Sequence, residues 1–239
     1  MLDVLLQQYK ILLRALDEKC AAACNDIPEI PCKKGCHDCC KQLFPLSMIE
    51  AFYINEGLQT LDRASRRKFE RLAKKGQSTL ADLNLSQFEI SSDSLEDISD
   101  ARNQLTKTLQ STKMDCPLIT KDGTCTLYEH RNHDCRIHGQ SYDTHTGEIV
   151  GCFRHPKIFS TTESKQSFTE KAVPSNFLYK EKSKLDSLAT TELGQNPDLK
   201  YCYYFATPYT PLLINYREFD WPTFFKKHSQ KKYSIVIHV

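Results

Sequence analysis

Eleven cysteines punctuate this 239-residue chain, and eight of them form two groups whose spacing constrains the fold more than any other feature. The first group is Cys32-x3-Cys36-x2-Cys39-Cys40, and the second is Cys116-x8-Cys125-x9-Cys135-x16-Cys152. The first lies among Lys33, Lys34, His37 and Asp38, in a polar segment that Pro31 and Gly35 make a poor helix. Thiols crowded among charges read as ligands rather than as small core residues.

That reading depends on a reducing compartment. The N-terminal stretch MLDVLLQQYKILLRALDEKC has no basic leader and no unbroken apolar run, so no signal peptide is expected and the expected location is cytoplasmic. There, clustered cysteines mark metal or catalytic chemistry more often than disulfides. Lys and Arg total 32 against 30 Asp and Glu, a balance that argues against nucleic acid as partner. No run approaches the roughly 20 apolar residues of a spanning helix, so no membrane partner is expected.

The expected fold class is mainly α with small β-hairpins (α+β), its helices packed around a Cys-rich metal-centred core. Residues 1–239 are read as one domain, with a cysteine-cluster core at 25–156 and a C-terminal extension at 157–239 packed on it. Leu2, Leu5, Tyr9, Leu12, Leu16, Cys20 and Ala23 recur at helical steps, predicting a helix over 2–24. Ser47 and Glu50 have capping-box spacing and predict a second helix start, with Gly57 as its stop. A third helix is expected over 60–80 with Leu61, Ala64, Phe69, Leu72 and Leu80 inward, and residues 81–100 read as an acidic linker ending at a cap by Ser94 and Asp97. Short strands are expected around Asp122-Gly123 and Thr146-Gly147, and an edge strand over 233–239. The aromatics between Tyr201 and Phe225 fold onto the core or line a groove.

Hairpins at Asp122-Gly123 and Thr146-Gly147 would bring Cys116 to Cys125 and Cys135 to Cys152. Four such thiolates suit zinc or an iron–sulfur cluster, although pairing across the groups satisfies the same requirement. Neighbouring side chains diverge, so either the loop at Cys39-Cys40 is irregular or the two sulfurs serve different centres. The spacing over Cys32, Cys36 and Cys39 also matches the loop of radical S-adenosylmethionine enzymes, but the chain lacks the βα alternation of their barrel. Lys33, Lys34, Lys41, Arg131, Arg136 and Arg154 are positioned to offset thiolate charge. His37 is the first alternative ligand, followed by His130, His133 and His138. Cys20 and Cys24 are packed or ligating, and Cys202 is packing.

At these residues the chain resembles a known family. CKKGCHDCC at 32–40, CPLITKDGTCTLYEHRNHDCR at 116–136 and Cys152 are similar to the YkgJ-like cysteine-cluster family of zinc- or iron-chelating domains, which includes the flagellin lysine N-methylases. PLSMIEA at 45–51 fits the helix entry after the first cluster. The family's Arg-Pro is Arg131-Asn132 here, and its aromatic-Pro is His138-Gly139. The resemblance implies Cys32, Cys36, Cys39, Cys40, Cys116, Cys125, Cys135 and Cys152 as metal ligands, holding a 4Fe–4S cluster or zinc. It also implies S-adenosylmethionine as a methyl donor and a protein lysine as substrate, although the chain has no GxG loop. A non-catalytic module stapled by zinc is the remaining alternative.

Overall fold

The computed structural model describes every residue except 31, 33, 34, 83–87, 151, 153, 154, 230 and 239, and all but the side chains of 88, 110 and 156 among the rest. Chain order runs α1 (Leu2–Asp26), β1 (Leu46–Ser47), α2 (Met48–Gln59), α3 (Arg63–Asp82), β2 (Phe88–Ser92) and α4 (Leu95–Ser111). The cysteine-rich middle holds α5 (His133–Ile137), β3 (Ser141–Tyr142) and β4 (Ile149–Val150). Then come α6 (His155–Ile158), α7 (Thr162–Lys171), β5 (Val173–Pro174), α8 (Tyr179–Gly194), β6 (Cys202–Ala206), α9 (Trp221–His228) and β7 (Tyr233–His238). Helix makes up 58% of the structure and two small mixed sheets complete it, so helix dominates but the strands go beyond isolated hairpins.

Local signals predict the helix starts well. Glu50 Oε2 accepts from the Ser47 N–H at 2.9 Å and the Ser47 hydroxyl at 2.8 Å, forming the expected capping box of α2. The Asp97 N–H donates to Ser94 Oγ at the start of α4. The α2 helix runs past Gly57 to Gln59 and is buried on nearly every side, because α1, α8 and β6 surround it. The register of α3 differs from expectation. Its buried residues are Phe69, Ala73, Gly76 and Leu80, while Ala64 and Leu72 face solvent. The small residues at 73 and 76 turn inward because Tyr209 packs there, in contact with the Gly76 backbone.

Strand order in the larger sheet is β1-β6-β7-β2, with β6 and β7 parallel and both outer pairs antiparallel. The predicted edge strand is therefore an inner one. Its second neighbour, β2, comes from the stretch read as an acidic linker. Side chains alternate across this sheet with the two-residue period of extended chain. Cys202, Tyr204, Ala206 and Val236 face the main core beside α1, α2, α8 and α9. Ile235 and Ile237 face a second core with Leu43, Ala73, Leu80, Ile98 and Leu105. Residues 157–239 thus supply the two central strands, and the apolar core spans the expected boundary at 156.

The smaller sheet, ordered β4-β3-β5, contains the hairpin expected at Thr146-Gly147. The aromatic tail folds inward, where Trp221, Tyr216 and Phe225 are fully buried. Among the described residues, no helix is long and apolar enough to cross a membrane.

Candidate metal centre

The two cysteine groups meet through their backbones. A 3-10 turn over Asp38–Lys41 makes the first group irregular, and the chain beyond it is anchored by Leu43 and Phe44, both buried. The Met114 N–H then donates to Lys41 O at 3.1 Å and the Cys116 N–H to Cys40 O at 2.7 Å, beside an antiparallel bridge between Gln42 and Lys113. At the tight turn of the second group, Ile119 and Cys125 form a bridge and the Thr120 N–H donates to Thr124 O at 2.9 Å. The His37 ring rests on this turn, where a Cβ added at Gly123 would collide with its Nδ1.

These contacts gather the thiols, with Cys39 acting on both groups. Cys39, Cys40, Cys116, Cys125 and Cys135 act electrostatically on one another. Cys32 is influenced chiefly by Cys36 and Cys152, with Cys39 and Cys24 next. The short helix α5 carries Cys135 to the side of Cys116. The irregular loop lets the adjacent Cys39 and Cys40 thiols shift each other's proton affinity in opposite directions.

Electrostatics follow from that packing. The Cys40 thiol lowers Cys39 to about 7 against the opposing effect of burial, while Cys40 itself is raised by the same contact. Burial pushes Cys32 and Cys116 up to about 12, and Cys125 and Cys135 upward as well. Thiols gathered in this way resist simultaneous ionisation unless a cation joins them. Arg131, stacked 3.6 Å from the Tyr128 ring centroid, adds to the lowering of Cys39 and opposes part of the rise that burial causes at Cys125. Arg136 is buried and bonded to Asp17 and to the carbonyls of Glu129 and Arg131, so it locks α5 to α1. Lys33, Lys34 and Arg154 lie outside the described residues.

A buried charged network supports this region. Glu50 accepts from the His133 N–H at 3.1 Å and the Tyr9 hydroxyl at 3.4 Å, and pairs with Lys182 at 3.0 Å. Asn132 caps α5 by accepting the Cys135 N–H at 3.1 Å. The histidines named from the sequence have other partners. His133 Nε2 meets Phe177 O, His130 packs on Tyr53, His138 packs on Phe44, and His37 Nδ1 lies 3.0 Å from Gly35 O. Cys24 donates to Gln140 at 3.1 Å, Cys20 faces Arg136 O, and Cys202 is buried in β6.

None of the eleven cysteines is in a disulfide. As placed, no three or more His, Cys, Asp or Glu side chains among the described residues form a group able to hold a metal ion. The donor chemistry nevertheless suits a thiophilic metal, because soft, half-buried sulfurs are concentrated here without disulfides. His155, three residues after Cys152 and not singled out from the sequence, is buried against Phe159 and Phe168. The chain matches no protein-family model, no curated protein and no solved structure.

Proposed function

We propose that this is a metal-binding protein whose clustered cysteine thiolates hold an iron–sulfur cluster or zinc. The observation that carries this reading is the Cys40–Cys116 backbone bond, which brings both cysteine groups to one place without a disulfide. Cys39, Cys40, Cys116, Cys125 and Cys135 would supply one thiolate set, and Cys32, Cys36 and Cys152 further sulfurs. Binding would release protons from thiols that burial keeps protonated, so a cation and the folded loops would stabilise each other.

Anaerobic purification with iron, sulfide and zinc analysis tests the reading. Broad visible absorption that bleaches on oxidation identifies an iron–sulfur cluster, whereas a colourless protein with stoichiometric zinc identifies zinc. Full-length protein lacking all three would overturn the proposal.

A further inference from the structure

We infer that the cleft between the first turns of α3 and the segment 211–215 binds a small organic phosphate, with its charged head on arginines and its apolar body against the facing wall. This goes beyond the metal-binding reading and does not rest on it, since no cysteine lines the cleft. The cavity measures about 350 Å³, within the size range of small-ligand sites. Arg63, Arg66, Arg67 and Glu70 follow the three- and four-residue steps that place side chains on one helix face, and all four line the cleft. Glu70 is engaged by Lys74 at 2.8 Å, and Arg66 Nη1 donates to Gln59 Oε1 at 3.0 Å. Among the described residues, no Asp or Glu forms an ion pair with any of the three arginines.

The opposite wall is fixed by a buried amide. Asn55 Nδ2 donates to Pro211 O at 2.7 Å and to Ile214 O at 2.8 Å, and its Oδ1 accepts from the Tyr216 N–H at 3.2 Å. These bonds hold the segment against α2, so the cleft is formed before any ligand arrives. Leu58, Leu213 and Ile214 give the wall its apolar surface. The backbone at the start of α3 is not the anion donor, because the Asp62 carboxylate already accepts from the Ala64 and Ser65 N–H groups at 2.8 and 3.0 Å. Side chains therefore do the recognising. Guanidinium forks match phosphate oxygens, and a phosphate monoester carries a charge of roughly −1.5 to −2 at pH 7. Three guanidiniums against one carboxylate suit such a dianion better than a single carboxylate ligand.

The probe is 1-naphthyl phosphate, titrated into the full-length protein as purified and read by calorimetry at fixed ionic strength. Its two halves, 1-naphthol and inorganic phosphate, are titrated separately. Saturable binding of one equivalent is expected, with each half at least about tenfold weaker. The double variant Arg63→Gln/Arg67→Gln, at exposed positions, should bind the probe at least about tenfold more weakly while its melting temperature stays unchanged. Arg71→Gln/Lys75→Gln removes the same charge from α3 outside the cleft and should keep the wild-type affinity. No binding by the wild type, an unchanged affinity in the cleft variant, an equal loss in the control variant, or either half binding as tightly as the probe overturns the proposal. The metal-binding reading stands or falls separately, on metal analysis alone.

Discussion

The Cys116 N–H donates to the Cys40 carbonyl at 2.7 Å, tying two segments far apart in sequence. The sulfurs of these residues consequently occupy one neighbourhood, whereas Cys202 is buried in a central strand. Cys116→Ser should remove metal from that neighbourhood. Cys202→Ala should leave metal content unchanged and cost on the order of 1 kcal/mol in stability, as expected for a small buried side chain. Metal analysis of both variants, with urea melts, checks the contrast; equal metal loss would contradict this division of roles.

Chelation should lower thermal stability. Cys40 and Cys116 belong to different segments, so an ion shared between them would stabilise their junction only in the fold. A chelator should reduce the melting temperature, and readdition of the same metal should restore it. An unchanged melt after demonstrated metal removal would count against a stapling role.

Glu50 and Lys182 form a buried pair at 3.0 Å. Burial works against the Lys182 charge, but Glu50, Asp186 and Asp134 together raise its affinity for the proton. Glu50→Ala should cost about 3–5 kcal/mol, because it leaves a buried ammonium short of its main partner and removes the cap of α2. Glu50→Gln should cost less by retaining an acceptor. Chemical denaturation measures both, and a loss below about 1 kcal/mol for the alanine variant would refute this account.

Acid should weaken the fold through His238. Its unfolded imidazole titrates near 6.5, whereas burial, followed by His228, holds the folded one at about 4. Between those values the unfolded chain binds the additional proton, so stability falls as pH drops from about 6.5 to about 4. The largest effect is about 1.4 kcal/mol per pH unit and about 3 kcal/mol overall. His238→Phe should flatten the pH dependence of urea unfolding across this window. An identical slope in variant and wild type would remove His238 as its source.

The legible features were those completed within a few residues. Ser47 with Glu50, Ser94 with Asp97 and the turn at Thr146-Gly147 each form bonds over short chain distances, so spacing alone identified them. By contrast, β2 was unreadable in an acidic stretch because its partner is β7. The inward face of α3 depended on Tyr209, a distant residue that fits against Ala73 and Gly76. The burial of His155 was likewise hidden, because Phe159, Phe168 and Gly139 surround it only in the fold.

The amino-acid order alone determined the abundance of thiols, the helix caps and the apolar face of α1, since these are properties of composition and short-range periodicity. Tertiary structure decided which sulfurs are neighbours, bringing Cys40 and Cys116 together from remote segments. It also placed β7 inside a sheet. Those outcomes depend on contacts between remote segments, whose geometry is set only when their shared core excludes water.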